Sequence, residues 1–248
     1  MKGAFLAMAF VALCSAAHAN CRQALALGLD VSGSVDAREY KLQMHGLASA
    51  LDSPKVRQAL MFMPNTPVHL LVYEWSGPED PAVVVPWTSV TGPSALNGII
   101  DQLRGLKRRE ATPGTALGLA MRQGVAHLNQ RADCWKRTLD LSGDGKSNLG
   151  PRPLDVKAEI LPTGITVNAL VIGADNPSIG DIRETEISNL SAYFQTNVIV
   201  GPDSFVETAL GFDDYASAMT RKLERELETL ILGQAAAQPI APAPRTDQ

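Results

Sequence analysis

The sequence predicts an α/β domain built on a doubly wound, mostly parallel sheet with helices on both faces. Short apolar runs alternate with segments of helical periodicity, and no internal repeat or change in composition marks a second domain. Polar clusters follow two of the apolar runs, at Asp30 and at Asp144. Ligands of open parallel sheets bind beyond the carboxyl ends of the strands, so these clusters form the candidate functional site.

Composition limits the classes of protein to which the chain can belong. Its 248 residues are 45% hydrophobic and 19% charged, which is typical of a soluble globular protein with a substantial core. The formal net charge is −4, and there is no basic excess across the domain as a whole. We therefore expect no nucleic-acid partner.

The first 19 residues have the pattern of a secretory signal peptide. A positively charged start precedes an apolar run over 4–14, and the A-x-A motif that ends at Ala19 predicts cleavage before Asn20. The run is shorter than the roughly 20 residues of a membrane-spanning helix, and no later segment is long and apolar enough for a span. We expect a secreted or periplasmic protein with one domain over 20–233 and a disordered Ala/Pro-rich tail over 234–248.

Six strands are predicted from runs rich in Val, Ile, Leu and aromatic residues. The second and third are joined by the turn residues Ser76-Gly-Pro-Glu-Asp-Pro81, which are too few for a helical crossover. These two strands should be antiparallel neighbours, which gives the sheet one antiparallel edge strand. The predicted strands span residues 22–30, 68–75, 82–87, 134–141, 165–172 and 196–200.

Six helices are predicted from apolar residues at helical spacing. The first begins at Asp36 and ends near Pro54, and a capping box explains Asp36 and Glu39 more simply than a part in the site does. The last helix is amphipathic, with dense pairs of opposite charge on its outer face. The other predicted helices and this last one span residues 94–103, 115–130, 153–161, 182–192 and 213–232.

The first polar cluster, Asp30-Val-Ser32-Gly-Ser34, has two interpretations. Its carboxylate and hydroxyl oxygens alternate directly after a buried strand, and a hard cation such as Mg²⁺ prefers such ligands. The same residue types also make local hydrogen bonds in strand–helix turns and helix caps. The motif alone does not distinguish a metal-binding loop from a polar turn.

Two further segments favour the metal-binding interpretation. Thr112-Pro-Gly-Thr115 places hydroxyls at a glycine turn before a predicted helix, and Asp144 follows another strand. Together with Asp-x-Ser-x-Ser, and in this order, they resemble the metal-ion-dependent adhesion site of von Willebrand factor A domains. The resemblance covers about residues 22–232 and is strongest to a bacterial branch of secreted proteins of unknown function. The segments Val35-Asp-Ala-Arg-Glu-Tyr40, Glu74-Trp-Ser-Gly77 and Ser142-Gly-Asp-Gly145 carry that closer match.

The resemblance implies a divalent cation held by residues of three loops. The expected cation is Mg²⁺, with Mn²⁺ or Ca²⁺ as alternatives. The third-loop aspartate would bind it directly or through a water molecule. The implied ligands are Asp30, Ser32 and Ser34 of the first loop, Thr115 of the second and Asp144 of the third.

The second and third loops depart from the pattern of the family. Pro113 stands where the family has the first glycine, and Ser142-Gly143 stand where it has a single threonine before the aspartate. Neither change removes a ligand. Thr112 competes with Thr115 for the second-loop position, and we favour Thr115 because the predicted helix begins there.

The resemblance also implies a Rossmann-like strand order, 3-2-1-4-5-6, with the first and fourth strands adjacent and parallel. Cys21 lies nine residues before Asp30, and Cys134 lies ten residues before Asp144. If both aspartates end their strands at one level, both cysteines begin theirs at one level. We predict a Cys21–Cys134 disulfide, with two free thiols as the alternative, because disulfides persist outside the cytoplasm.

The resemblance implies a binding protein rather than an enzyme. In the mechanism of the family, a Glu or Asp of a partner protein fills an open coordination position of the cation. Trp75, Arg108 and Arg109 are candidate partner contacts, with core packing of Trp75 and plain solvation of the basic loop as alternatives. Two other functions are a secreted Mg²⁺-dependent phosphoester hydrolase, which predicts a carboxylate where Ser32 stands, and a scaffold that binds no metal.

Overall fold

The computed structural model describes residues 21–79, 81–173 and 180–235, with the backbone alone for 180–184 and 228–235. The predicted signal peptide and all but two residues of the predicted tail lie outside these ranges. Six strands form one sheet in the order β3-β2-β1-β4-β5-β6. The strands are β1 (Cys21–Asp30), β2 (Val68–Trp75), β3 (Ala82–Ser89), β4 (Cys134–Gly143), β5 (Thr166–Ile172) and β6 (Val206–Ala209).

Helices cover both faces of this sheet. Core residues of α1, α2, α3 and α7 pack together on one face, and those of α4, α5 and α6 pack on the other. No helix in the described ranges combines the length and the apolar character needed to cross a membrane. The helices are α1 (Ala37–Asp52), α2 (Pro54–Met61), α3 (Pro93–Gly105), α4 (Leu117–Asn129), α5 (Pro153–Ile160), α6 (Gly180–Asn197) and α7 (Tyr215–Ala235).

The register of the central strands confirms the predicted α/β fold and strand order. All ten residues of β1 are buried, as expected for a strand with parallel neighbours on both sides and helices on both faces. β2 and β3 are antiparallel, as their short connection predicts. Cys21 lies opposite Cys134, and the two form the predicted disulfide with their Cα atoms 4.7 Å apart.

The capping box at the start of α1 is also confirmed. The Asp36 carboxylate accepts hydrogen bonds from the backbone N–H groups of Arg38 and Glu39, at 2.7 and 2.8 Å. The Glu39 carboxylate accepts one from the backbone N–H of Asp36 at 2.7 Å. Both acidic side chains therefore serve to begin the helix.

The prediction of the last strand was wrong. Helix α6 continues to Asn197, and β6 lies farther along the chain, at Val206–Ala209. Val198 and Val200 are buried, but they pack into the core from a connection, and Val200 forms a single antiparallel bridge with Val167. An apolar run of this length indicates burial without fixing its secondary structure.

Three helix boundaries also differ from the predictions. Pro54 was predicted only as the end of α1, but it also begins an additional helix, α2, because its fixed φ suits a first helical turn. Helix α4 begins at Leu117, not at Thr115. Helix α7 extends to Ala235, two residues into the predicted tail.

Candidate metal centre

The candidate site lies at the carboxyl ends of β1 and β4, where three loops meet. The first loop is residues 31–36, between β1 and α1. The second loop is residues 106–116, between α3 and α4. The third loop is residues 144–152, between β4 and α5. The first and third loops leave the sheet at the same end, because β1 and β4 are parallel and in register, and the second loop is hydrogen-bonded to both of them.

Asp30 ends β1 with its carboxylate fully buried. Its Oδ1 accepts a hydrogen bond from the backbone N–H of Ser32 at 2.9 Å. Its Oδ2 is buried and has no hydrogen-bond partner among the described residues. A buried carboxylate oxygen without a partner is costly, and a bound cation is one way in which that cost is offset.

Hydroxyl groups connect the first loop to the third. The Oγ atoms of Ser32 and Ser34 lie 3.2 Å apart, and Ser34 Oγ donates to Asp144 Oδ1 at 2.8 Å. Ser32 is buried whereas Ser34 is exposed, so the row of oxygens runs from the core to the surface. The structure thus brings together four of the five predicted ligands, from Asp30 to Asp144.

The two carboxylates disfavour each other's ionisation. Burial, and after it the nearby Asp144 carboxylate, raise the pKa of Asp30 to about 8. Burial also raises the pKa of Asp144, against the lowering effect of the hydrogen bond from Ser34. No basic side chain in the described part of the chain forms an ion pair with either aspartate. Neither carboxylate is therefore neutralised by a side-chain cation of the described residues.

The second loop is held between the other two. The backbone carbonyl of Pro113 accepts a hydrogen bond from the Gly33 N–H at 3.1 Å. The Thr115 N–H donates to Asn148 Oδ1 at 2.8 Å, and its carbonyl accepts from the Asn148 N–H at 3.0 Å. Thr115 is buried and Thr112 is exposed. Burial between the loops now favours Thr115, although the reason given above, a helix start at this residue, was wrong.

The three predicted partner contacts have structural roles. Trp75 is 1% exposed and packs in the core, so its prediction as a surface anchor was wrong and the alternative, core packing, is confirmed. Arg109 Nε donates to Glu74 Oε2 at 2.7 Å. Arg108 donates to backbone carbonyls of the first loop, among them that of Val35 at 2.8 Å. Neither arginine belongs to a plainly solvated loop.

Sequence reasoning missed the buried residues whose hydrogen bonds hold the end of β1 and the second loop in place. Gln43 Nε2 donates to the Asp30 carbonyl at 2.9 Å and fixes the end of β1. Glu74, 1% exposed, accepts from Tyr40 Oη at 2.6 Å and from Arg109. A lone acidic residue within the apolar run of β2 was a signal for Glu74. Gln43 had no comparable signal.

A cleft of about 350 Å³ borders the third loop on its open side. It gives the surroundings of Asp144 access to solvent. A second cleft of about 360 Å³ lies on the other side of the same loop. The first cleft is lined chiefly by Asp144, Lys146, Ile172, Glu186, Ile187 and Leu190.

Another group of side chains with metal-binding chemistry lies at the opposite edge of the sheet. Cys21, Asp133 and Cys134 place their ligand atoms within 4.8 Å of one another. The disulfide occupies both sulfur atoms, and a thiolate is the form of cysteine that binds metal. This group is therefore explained by the disulfide.

The donor atoms at the candidate site fit a hard divalent cation. They are carboxylate and hydroxyl oxygens, with no sulfur or imidazole among them. A cation beside the free Asp30 Oδ2 would offset the repulsion between the two carboxylates. The residues that would hold such an ion are Asp30, Ser32, Ser34, Thr115 and Asp144.

Comparisons with known proteins agree with this fold. The family model described as "Protein of unknown function (DUF1194)" matches residues 20–231. No curated protein matches the sequence.

Three solved structures show the similarity of fold. The pilus adhesin SpaC from Lactobacillus rhamnosus GG, in its open conformation, is 17% identical with a TM-score of 0.59, over 86% of this chain and 30% of that chain. Proximal thread matrix protein 1 from the mussel byssus, with a zinc-occupied MIDAS motif, is 14% identical with a TM-score of 0.57, over 85% and 47%. A von Willebrand factor type A structure from Catenulispora acidiphila is 14% identical with a TM-score of 0.54, over 85% and 43%.

These matches confirm the resemblance to von Willebrand factor A domains at the level of the fold. This chain spans less than half of the length of each of those three chains.

Proposed function

The chain belongs to the DUF1194 family of unknown function, and we propose that it is a protein-binding domain whose docking point is a bound divalent cation. One observation carries the proposal. Asp30 Oδ2 is buried without a partner in the described part of the chain, at the inner end of a row of oxygens that reaches the surface at Ser34. The buried carboxylate at the inner end of this row has no counter-charge in that part of the chain, and the outer end of the row is open to solvent.

Each residue of the site has a distinct task in this proposal. Asp30 supplies the buried negative charge, and Gln43 holds its backbone in place. Ser32 and Ser34 present neutral oxygens, so they add ligands without adding repulsion. Asp144 contributes a second charge from the third loop. The cation, when bound, would supply a coordination position that accepts an oxygen from outside the chain.

The partner fits the description of a protein that offers a Glu or Asp side chain. Two carboxylates balance most or all of the charge of a divalent cation. The remaining ligands are neutral hydroxyls and water, and an external carboxylate can replace a bound water molecule. Two of the similar structures are those of a pilus adhesin and a thread matrix protein, which supports binding rather than catalysis. A phosphoester hydrolase would need a carboxylate at position 32, where the chain has Ser32.

Secretion into an oxidising compartment is part of the same proposal. The N-terminal signal-peptide pattern supports it, and the Cys21–Cys134 disulfide is chemically suited to such a compartment. The ions available there include Mg²⁺ and Ca²⁺, and we propose Mg²⁺ as the resident ion because the donors are few and held in fixed positions.

Calorimetric titration of the mature protein with Mg²⁺ and with Mn²⁺ tests the metal site. We expect saturable binding to the wild type and no binding to Asp30→Asn, which keeps the shape of the side chain and removes its charge. Asp155→Asn is the matched control, because Asp155 is an exposed aspartate paired with Arg152 at 2.9 Å. Absence of heat in the wild type would contradict the proposal.

Capture of partners from the native envelope fraction tests the docking function. We expect a bound protein that EDTA releases and that Asp30→Asn fails to capture. A phosphatase panel with Mg²⁺ should show no turnover. Turnover that requires Asp30 would instead support the hydrolase.

A further inference from the structure

A short basic segment of the second loop, here called the strap, lies against the first loop. The strap is residues 107–109, within the second loop, and its middle residue is the half-buried Arg108. Arg108 Nη2 faces three carbonyl oxygens of the first loop: those of Val31 at 3.5 Å, Ser32 at 3.4 Å and Val35 at 2.8 Å. This one nitrogen thus contacts the turn that presents Ser32 and Ser34 on both sides, with its short hydrogen bond at Val35.

A buried ion pair fixes the position of the strap. Arg109 Nε donates to Glu74 Oε2 at 2.7 Å, and the Glu74 side chain is 1% exposed. Tyr40 Oη donates to the other oxygen of this carboxylate at 2.6 Å and lies 3.4 Å from the Lys107 carbonyl. The strap is therefore attached to β2 and α1, and it places Arg108 independently of the first loop.

The direction of the three carbonyls limits what the first loop can offer to a cation. A carbonyl that accepts from Arg108 points toward the strap and is engaged there. The loop then presents side-chain oxygens alone, in a geometry that the guanidinium group holds. Nη2 carries two hydrogens, so the 2.8 Å hydrogen bond to Val35 is the strongest of the three contacts, and a lysine ammonium in its place would lack the planar group that fixes the direction of this nitrogen.

We propose that Arg108 positions the first loop so that the site prefers Mg²⁺ to Ca²⁺. This inference rests on the proposed function, since it concerns the same cation site. Mg²⁺ demands a near-octahedral set of ligands at short distances, whereas Ca²⁺ accepts six to eight oxygens, backbone carbonyls included, in flexible geometry. A first loop held by Arg108 can present ligands in the fixed geometry that Mg²⁺ demands. When the loop is released from Arg108, its carbonyls become free, and Ca²⁺ tolerates the altered geometry better than Mg²⁺ does.

The sign of the effect separates positioning from simple electrostatics. Arg108 carries a positive charge close to the proposed cation, so its removal on Coulombic grounds strengthens the binding of both ions alike. Positioning predicts the opposite for Mg²⁺, together with a change in the ratio of the two affinities. A loss of overall stability would lower the affinity for both ions without altering the ratio of the two affinities.

The test is calorimetric measurement of the Mg²⁺ and Ca²⁺ dissociation constants for the wild type, Arg108→Met and Arg108→Lys. We expect Arg108→Met to lose roughly 10–100-fold in Mg²⁺ affinity, the range typical of residues that orient metal ligands, and only a few-fold in Ca²⁺ affinity. Arg108→Lys should fall between Arg108→Met and the wild type. Arg104→Met is the matched control, because it removes an exposed arginine that pairs with Asp52 at 3.3 Å.

The outcomes separate this inference from the function on which it rests. A wild type that binds neither ion overturns both. A wild type that binds Mg²⁺, with an unchanged Mg²⁺/Ca²⁺ ratio in Arg108→Lys and in folded Arg108→Met, overturns the role of Arg108 and leaves the metal site intact. Circular dichroism and the melting temperature establish that each variant is folded, and Arg108→Lys serves alone if Arg108→Met does not fold.

Discussion

Two carboxylates on neighbouring strands are buried in opposite ways. Asp140, in the middle of β4, contacts the ammonium group of Lys222, which is itself fully buried. Lys222 Nζ also lies 3.0 Å from Glu226 Oε1, and Asn168 donates to the same oxygen. Asp30, at the end of β1, has no basic partner among the described residues.

The difference teaches how the fold separates structure from function. Around Asp140 the chain supplies a counter-charge of its own, the ammonium group of Lys222, which lies beside the carboxylates of both Asp140 and Glu226. Around Asp30 the chain supplies oxygens and leaves the counter-charge out. The first arrangement holds α7 on the sheet, and the second is suited to an ion that comes from outside.

Removal of the internal counter-charge should have the largest effect on stability. Lys222→Met leaves the carboxylates of Asp140 and Glu226 buried without their cation, and we expect a loss of about 3–5 kcal/mol in the free energy of unfolding. Urea denaturation measures this loss. The matched control is Lys55→Met, which removes a lysine whose side chain is 74% exposed in its pair with Glu224, and should cost at most about 1 kcal/mol. Equal losses in the two variants would contradict the comparison.

The disulfide lies at the edge of the sheet away from the three loops, so its removal should affect stability without affecting the ion. The double variant Cys21→Ser/Cys134→Ser opens a connection between residues 113 positions apart, and we expect a loss of about 2–4 kcal/mol. Mg²⁺ affinity of the folded variant should match the wild type. Weaker Mg²⁺ binding at temperatures where the variant is fully folded would show that the two edges are coupled.

A methyl group between the first and second loops should weaken the ion site more than the fold. A Cβ at Gly33 would lie 2.7 Å from Pro113 Cβ and 2.9 Å from its Cα, so Gly33→Ala must move the loops apart. We expect weaker Mg²⁺ binding and a loss of about 1–3 kcal/mol in stability. Gly98→Ala is the control, because a Cβ there meets nothing within 4 Å in helix α3, and the substitution should stabilise by about 1 kcal/mol. Unaltered Mg²⁺ affinity in Gly33→Ala would separate this contact from the site.

Two histidines show a third way to bury a titratable group, which is to bury it in its neutral form. Their effect on stability is the smallest of those predicted here. Burial lowers the pKa of His69 and of His127 below the ordinary value of 6.5. The unfolded chain therefore takes up protons first as the pH falls through 6.5, and the folded state loses stability. Denaturation at pH 7.5 and 5.5 measures the change in stability, to which the raised pKa of Asp30 contributes with the opposite sign in every variant. The change should therefore be more favourable to the folded state in His127→Gln than in the wild type, and equal changes in the wild type, His127→Gln and His69→Gln would contradict the role of the histidines.

The sequence was informative where function and local structure coincide. Asp30, Ser32, Ser34 and Asp144 directly follow strands that their apolar neighbours reveal, so alternation and motif together located them. The disulfide followed from the implied register of β1 and β4. These features depend on neighbours in the chain or on a strand order that the fold fixes.

Other features depend on contacts between distant parts of the chain. Arg108 reaches back 73 residues to Val35, and no periodicity marks that contact. Lys222 and Glu226 form a buried pair on the last helix, and the sequence did not single them out, because an i,i+4 pair looks the same in sequence whether its face is exposed or buried. Val200 is a further example, because its apolar character correctly indicated burial, whereas its contacts with distant residues give it a single bridge to Val167 and not a strand.

The most direct test of the central claim is a crystal structure of the mature protein with Mn²⁺, with the ion located by its anomalous scattering. We predict one peak beside Asp30 Oδ2, in contact with the hydroxyls of Ser32 and Ser34, and no peak there in Asp30→Asn. Mn²⁺ bound elsewhere on the domain with this position empty, or a peak that persists in Asp30→Asn, would contradict the claim that Asp30 is buried to receive a cation.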